Sequence, residues 1–300
     1  MNRAGISKSR AGASRHAVPM ILVTGATGTI GSEVVRQLAA RGEKVRALTR
    51  DPSRLDTPPG VEVVRGDFLD PESVDSALAG AKAAFLVAVL GPDTRPDVDL
   101  ISRARAAGVS RLVKLSAIGT GDPEVGPGGT WHVPGEEALR AGGADWTVLR
   151  PSTFASNTLS WADPIRSGEP VPNLTGDGRQ GVVDPRDVAE VAVAALLDPR
   201  HAGRTYTLTG PEPITAPDQA TVLADVLGRP VRSLDLTADQ VRSHLQGSGM
   251  PEPYMRGVLA GTSYVRAGRN DVITDDVRQV LGRRARTYRE WAEDHREAFR

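Results

Sequence analysis

Short apolar runs alternate with amphipathic stretches from residue 20 to about residue 209, and this alternation restricts the fold more than any other feature of the sequence. The first unit joins an apolar run at 21–23 to a glycine-rich turn at 24–31. The stretch that follows places Val34, Val35 and Leu38 on one helical face. Strands that alternate with helices in this way form a parallel sheet covered on both faces. We therefore predict an α/β fold with a Rossmann-type, doubly wound parallel sheet.

The same pattern places the other elements. Strands are predicted at 45–48, 61–64, 83–90, 111–117, 146–149 and 205–209, and helices at 73–78, 98–107, 134–141 and 185–197. Later helices are expected to begin at threonine caps, namely Thr215, Thr237, Thr274 and Thr287. The stretch 156–181 lacks periodicity and is expected to cross the cleft. Phe154, just before this stretch, and Trp161, within it, could line a substrate site or simply pack in the core.

Composition excludes several classes of function. The 37 basic and 37 acidic residues cancel, so no net charge favours a nucleic-acid or membrane partner. The absence of cysteine removes disulfides, thiolate nucleophiles and cysteine-ligated metal sites, and it fits a reducing cytoplasm. No apolar run reaches the roughly 18 residues that a membrane helix needs. We expect a cytoplasmic protein without a metal site, and oligomeric state stays open.

The glycine-rich turn has the spacing G-x-x-G-x-x-G between a strand and a helix. Glycines in this position allow a tight turn and the close approach of a dinucleotide pyrophosphate to backbone N–H groups at the helix N-terminus. The residues expected to contact the cofactor here are Gly25, Thr27, Gly28, Thr29, Ile30 and Gly31. The turn therefore predicts an NAD(P)-binding site.

The end of the second strand predicts which nicotinamide cofactor is used. An arginine there accommodates the 2′-phosphate of NADP, whereas an acidic residue binds the ribose hydroxyl of NAD. Arg50 holds this position and Arg54 lies within reach, so we predict NADPH, although Asp51 would favour NAD if the register moved by one residue. The remaining expected cofactor contacts are Asp67 and Phe68 at the adenine and Ala88 and Val89 under the nicotinamide-side ribose.

These motifs resemble the NmrA-like group of atypical short-chain dehydrogenase/reductases. The resemblance rests on the T-G-A-T-G-x-x-G turn, Arg50 and the Gly66-Asp67 pair, and it continues through 113–119, 146–151 and 184–189. It covers roughly residues 20–210 and is weaker beyond 215. Such relatives include NADPH-dependent quinone reductases, isoflavone-reductase-like enzymes, and regulators that bind NADP without turning it over.

The sequence departs from the wider superfamily at its proton-transfer pair. The standard enzymes use Tyr-x-x-x-Lys with a serine, but the residues four after the tyrosines of this chain are Gly210, Val258, Gly268 and Ala292. In the corresponding place stands His132-x-x-x-Glu136, with Ser116 where the family serine falls. Glu136 is expected to orient the His132 imidazole and favour its charged form, so that His132 and Ser116 become the candidate catalytic residues. Lys114 is predicted to pair with a carboxylate or to reach a strand end.

Three regions are expected along the chain. Residues 1–19 carry basic but no acidic side chains and are predicted to be a flexible extension, either a transit peptide or the result of a start assigned upstream of Met20. Residues 20–155 and 182–212 form the predicted NAD(P)-binding Rossmann domain, and 156–181 and 213–300 a smaller, mainly helical substrate-side region.

The expected function is that of an NADPH-dependent oxidoreductase that reduces a quinone or another carbonyl of a small apolar or aromatic substrate. Direct hydride transfer to a quinone needs little acid assistance, which suits the missing tyrosine. The alternative is a non-catalytic NADP(H)-binding redox sensor or regulator.

Overall fold

A computed structural model describes residues 19–88 and 91–300. The predicted extension therefore lies, apart from Pro19, outside the described residues, as does Val89. Within these ranges the strands are β1 Met20–Val23, β2 Lys44–Thr49, β3 Glu62–Arg65, β4 Ala81–Leu86, β5 Arg111–Leu115, β6 Asp145–Pro151, β7 Val171–Asn173, β8 Arg204–Leu208 and β9 Ser233–Asp235. The helices are α1 Thr29–Ala40, α2 Pro71–Leu78, α3 Arg95–Ala106, α4 Val133–Arg140, α5 Ala162–Ser167, α6 Pro185–Leu197, α7 Ala216–Leu227, α8 Ala238–Gly247, α9 Glu252–Arg266, α10 Asp276–Leu281 and α11 Tyr288–Asp294.

The described residues form a seven-stranded parallel sheet in the order β3-β2-β1-β4-β5-β6-β8. The order reverses between β1 and β4, which is the topological switch point where such sheets bind ligands. The predicted Rossmann-type doubly wound fold is confirmed. Within the same ranges, no helix is long and apolar enough to cross a membrane.

Helices cover both faces of this sheet. On one face α1 and α6 pack together, and their apolar residues join those of the strands in one core cluster. On the other face α2, α3 and α4 bury a second cluster. Leu22 and Val23, next to each other in β1, point into different clusters, as alternating side chains of a strand must.

A smaller apolar cluster lies outside the sheet. It joins the segment 155–171 to α7 and α11, and Trp161, 8% exposed, belongs to it with Tyr288 and Trp291. Trp161 is therefore a core residue and not part of a cleft cover. Two short strands, β7 and β9, pair in parallel beside this cluster.

Most predicted elements are present with boundaries shifted by a few residues, and three differences have a clear physical cause or consequence. β4 ends at Leu86 instead of residue 90, because the Thr24 hydroxyl accepts the next N–H, that of Val87, at 2.7 Å. Thr274 does not cap α10: its hydroxyl donates to the carbonyl of Thr207, and Asp275 is the N-cap. The sequence pattern also gave no sign of α9. Thr215, Thr237 and Thr287 are N-caps as predicted, and each takes part in a capping box.

Candidate functional site

The glycine turn has a backbone that only glycine fits well. Gly25 has a φ of +61°, in the left-handed region that other residues rarely adopt. A Cβ at Gly31 would lie 2.2 Å from the carbonyl oxygen of Gly25, well inside contact distance. The turn and the first turn of α1 are therefore packed backbone against backbone.

The N-terminus of α1 is open to an anionic ligand. Its N-cap, Gly28, has no side chain to satisfy the first N–H groups, and the first turn contains no acid. Thr27, Gly28 and Thr29 are exposed, whereas Ile30 is buried in the core and anchors the helix. Unsatisfied N–H groups and the helix dipole attract phosphate here. The site thus fits a dinucleotide pyrophosphate.

Arginines surround the ends of β2 and β3. Arg50 and Arg54 are exposed after β2, and Arg65, which sequence analysis did not single out, ends β3 directly beside Thr49. Asp51 caps a short turn, where its Oδ1 accepts hydrogen bonds from the amide and hydroxyl of Ser53. These bonds, together with the charges of Arg54 and Arg65, hold the pKa of Asp51 below its ordinary value. The local charge at this edge is net positive.

The described residues expected at the adenine and at the nicotinamide-side ribose are half-buried at the edge of the sheet. Asp67 is half-buried, and its Oδ1 accepts the N–H of Leu69 at 3.0 Å. Phe68 and Ala88 are half-buried and pack against the core cluster under α2 and α3. Their backbones lie at the carboxyl ends of β3 and β4, on the same edge as the glycine turn.

Glu136 lies at the centre of a buried hydrogen-bonded cluster. It is 1% exposed and forms a bidentate pair with Arg150, from Nε at 2.9 Å and from Nη2 at 2.7 Å. The hydroxyl of Ser116 donates to Glu136 Oε1 at 2.6 Å, and Arg140 donates to Oε2. Burial raises the pKa of Glu136, but the bonds from Arg150, Ser116 and Arg140 outweigh it and hold the pKa below its ordinary value. Glu136 is therefore an ionised structural anchor for Ser116.

A second buried ion pair lies on the same face of the sheet. Lys114, fully buried, donates to Asp97 Oδ1 at 2.8 Å, which confirms that it pairs with a carboxylate. Gly135 in α4 explains how this pair fits, because a Cβ there would lie 1.8 Å from Asp97 Oδ2. Lys114 therefore belongs to a structural ion pair and does not take the place of the lysine in the superfamily's Tyr-x-x-x-Lys pair.

His132 is the N-cap of α4, and the structure does not form the expected pairing of its ring with Glu136. Only backbones connect the two residues, through the N–H of Glu136 and the carbonyl of His132 at 3.0 Å. Nδ1 of His132 is buried and has no hydrogen-bond partner among the described residues. Burial and the nearby Lys114 charge lower the pKa of His132 to about 4, and Glu136 only partly opposes this. The imidazole is therefore neutral at neutral pH, and the expectation of a charged ring is wrong.

A depression of about 800 Å³ lies at the amino ends of β5 and β6, beside Arg105 and Asp145, on the edge opposite the glycine turn. Within residues 19–88 and 91–300, no group of three or more histidine or acidic side chains could hold a metal ion.

Comparison with known proteins places the chain in a family. Residues 25–199 match a family model described as NAD(P)H-binding. The chain belongs to this NAD(P)H-binding family. It is 45% identical over 283 residues to (4-alkanoyl-5-oxo-2,5-dihydrofuran-3-yl)methyl phosphate reductase of Streptomyces griseus subsp. griseus, covering 93% of this chain and 99% of that protein.

Two further relatives extend the comparison. The NAD(P)H azoreductase of Xenophilus azovorans is 36% identical over 288 residues, covering 93% of this chain and 99% of that protein. An NADPH-dependent quinone oxidoreductase from Escherichia coli, solved with NADPH, has the same fold, with a TM-score of 0.79 at 23% identity over 92% of this chain and 99% of that one. The resemblance to NmrA-like atypical short-chain dehydrogenase/reductases is confirmed, and the protein is an NAD(P)H-dependent oxidoreductase.

Proposed function

We propose that this protein uses NADPH to reduce a small, apolar, conjugated acceptor such as a quinone or a conjugated carbonyl compound by direct hydride transfer. One observation carries the proposal: among the described residues around Ser116, the charged groups that could serve as a strong acid are held in ion pairs, and the imidazole is neutral. Glu136 and Lys114 are held in buried ion pairs, and His132 is uncharged at neutral pH. An acceptor whose reduced anion is delocalised does not require a strong protein acid.

The relatives support this class of acceptor. One is a reductase of an alkanoyl-oxo-dihydrofuran phosphate, another an azoreductase, and the structural neighbour a quinone oxidoreductase. Each of these names describes an acceptor with conjugated double bonds. We infer that the shared chemistry is the addition of a hydride to a conjugated system, with a proton then taken from water.

The proposal assigns the cofactor to the switch-point edge. The N–H groups of the glycine turn and of α1 would bind the pyrophosphate, and Arg50, Arg54 and Arg65 would bind the 2′-phosphate. Asp67 and Phe68 would lie at the adenine, and Ala88 near the nicotinamide-side ribose. NADPH, when bound, supplies the hydride.

His132 and Ser116 stay the proposed residues at the reacting end, with roles different from those expected. The hydroxyl of Ser116 donates its hydrogen bond to Glu136, so Ser116 would position the end of β5 and orient ligands through its oxygen as an acceptor. His132, as a neutral imidazole, would donate a hydrogen bond to the acceptor oxygen and not a proton. Replacing His132 by alanine should then reduce turnover without abolishing it.

The test is consumption of NADPH, followed at 340 nm, with a panel of quinones, conjugated enones and saturated ketones. Turnover is expected with NADPH and a conjugated acceptor, and less with NADH or with saturated ketones. Absence of turnover across the panel would refute the proposed reaction, and equal rates with NADPH and NADH would refute the cofactor preference.

A further inference from the structure

Two aromatic side chains from distant parts of the chain meet beside His132. Trp131 precedes that residue, and Tyr254 lies in the first turn of α9. Their ring centroids are 6.0 Å apart and their planes make an angle of 66°. This edge-to-face arrangement is favourable, because the positive edge of one ring meets the negative face of the other. We call these two side chains the aromatic wall.

Two glycines determine where the rings of the wall lie. A Cβ at Gly91 would be 2.2 Å from Cε1 of Tyr254, so the tyrosine ring rests directly on the backbone that follows β4. A Cβ at Gly257 would be 2.4 Å from Cη2 of Trp131, so the indole fills a notch in α9. A side chain at either glycine position would therefore clash with the ring that packs there. The wall is therefore seated in a defined position.

Polar contacts hold α9 against the loop that contains Trp131. The hydroxyl of Tyr264 donates to Asp122 at 2.9 Å. Arg269, just beyond α9, forms an ion pair with Glu124 at 2.7 Å. These contacts join the C-terminal end of α9 to residues 122 and 124, so they fix α9 relative to Trp131 without covering the two rings.

The wall stands at the edge of the sheet where the acceptor must bind. Gly91 follows β4, whose carboxyl end is proposed to lie under the nicotinamide-side ribose, and Trp131 adjoins His132. Tyr254 is 37% exposed, and Val258, one helical turn later, is 36% exposed. The hydroxyl of Tyr254 has no hydrogen-bond partner in the described part of the chain. An apolar surface with an aromatic face is thus left open beside the reacting end.

We propose that the aromatic wall forms one side of the acceptor site and selects planar conjugated acceptors by stacking. This inference rests on the proposed function and specifies its substrate class. A flat acceptor gains contact area and offset stacking against a ring, whereas a small acyclic ketone gains little. Trp131 and Tyr254 are thereby assigned as specificity residues.

The experiment compares Tyr254→Ala, Tyr254→Phe and Trp131→Leu with two acceptors, 1,4-naphthoquinone and the acyclic diketone 2,3-butanedione. Tyr254→Ala and Trp131→Leu are expected to lower kcat/KM for naphthoquinone about tenfold, which corresponds to about 1.4 kcal/mol. The value for butanedione should change by less than about twofold on the same scale. Tyr254→Phe keeps the ring and should behave like the natural protein. Arg256→Ala is the matched control, since Arg256 is exposed on the same helix and makes no hydrogen bond among the described residues.

Several outcomes would overturn the inference. An equal loss for both acceptors would indicate general damage to the site, and a loss in Tyr254→Phe as large as in Tyr254→Ala would assign the effect to the hydroxyl group. If the natural protein oxidised no NADPH, the proposed function would fail. The wall would then be tested by calorimetric binding of naphthoquinone to the NADP⁺-loaded protein, where Tyr254→Ala should weaken binding about tenfold. Circular dichroism confirms that each variant is folded.

Discussion

Gly135 shows how strongly one residue of α4 depends on the charges beneath it. A Cβ at this position would meet Asp97 Oδ2 at 1.8 Å and Lys114 Cε at 2.9 Å. Alanine would favour the helix by about 1 kcal/mol, but it would push apart a buried ion pair. We expect Gly135→Ala to lower the free energy of unfolding by about 2 kcal/mol, the usual scale of overpacking. Denaturant unfolding measures this loss.

The control for this variant is Gly143→Ala. None of the described residues has an atom within 4 Å of a Cβ placed at Gly143, and its φ is not in the left-handed region. Its free energy of unfolding should change by less than about 0.5 kcal/mol. Equal effects of the two substitutions would show that the Asp97–Lys114 pair moves easily and does not require a glycine.

His132 makes stability depend on pH. Its pKa is about 4 in the folded protein and 6.5 ordinarily, so the unfolded chain binds the proton first. The stability contributed by the neutral ring is fully present above pH 6.5 and is lost as pH falls towards 4. At pH 5 the loss is about 2 kcal/mol, since each pKa unit is worth about 1.4 kcal/mol. Between pH 7 and pH 5, the free energy of unfolding of the natural protein should therefore fall by about 2 kcal/mol relative to that of His132→Asn.

This prediction is checked by urea unfolding of both proteins at the two pH values. A shift in favour of His132→Asn at pH 5 is expected, because asparagine has no proton to bind. If the difference in free energy of unfolding between the two proteins were the same at both pH values, the pKa of His132 in the folded protein would be close to its ordinary value. The pairing with Glu136 that sequence spacing suggested would then deserve a new test.

At the scale of elements, α6 anchors the C-terminal segment. Asp187, fully buried in its first turn, accepts the backbone N–H of Arg286 at 2.6 Å and pairs with Arg283 at 2.7 Å. Removing this carboxylate leaves the N–H of Arg286 without its acceptor, and it leaves the guanidinium groups of Arg283 and Arg286 with Glu190 as their remaining acidic partner. We expect Asp187→Ala to cost about 3 kcal/mol, the lower end for a broken buried pair, because the arginines can still reach water.

A surface pair provides the comparison for Asp187. Asp225 and Arg289 also lie 2.7 Å apart, but both side chains are about half exposed. Solvent screens such pairs, so Asp225→Ala should cost less than about 1 kcal/mol. Thermal and denaturant unfolding of both variants would decide the matter, and a similar cost for the two would contradict the anchoring role of Asp187.

Elements differ in how well the sequence predicts them, for a physical reason. α1 and α6 pack on the sheet through apolar residues at helical spacing. Their sequence pattern is therefore enough to predict both the helix and its buried face. α9 contains Gly257 and Gly261 in its interior, and glycine there disfavours a helix. It is stabilised by packing against the loop before α4, a contact between residues that are distant in sequence.

The same distinction applies to the candidate site. The glycine turn and Arg50 occupy positions that the strand–turn–helix pattern defines, so the sequence alone was sufficient to propose them as cofactor residues. One partner of Glu136, Arg140, lies one helical turn later in α4, but Ser116 and Arg150 come from the ends of β5 and β6, which spacing within one helix could not show. That spacing pointed instead to His132. Arg65 went unnoticed because only the pairing of β2 with β3 brings it beside Thr49.

For the whole molecule, cofactor preference should appear as a difference in stability. A ligand that binds only the folded protein raises the free energy of unfolding by about 2.7 kcal/mol at 100 times its Kd. At equal concentration NADH should stabilise the natural protein less than NADPH does. Arg50→Ala should reduce this difference, whereas replacement of Arg242, exposed on α8, should leave it intact.

Thermal unfolding with each cofactor measures these differences without requiring turnover. Equal stabilisation by NADPH and NADH would contradict the role of the arginines at the ends of β2 and β3. Stabilisation by NADPH without any NADPH oxidation across the acceptor panel would favour a redox sensor. The combination of stability and turnover therefore separates cofactor binding, which the glycine turn and α1 support, from acceptor reduction, which depends on the proposed acceptor site beside His132.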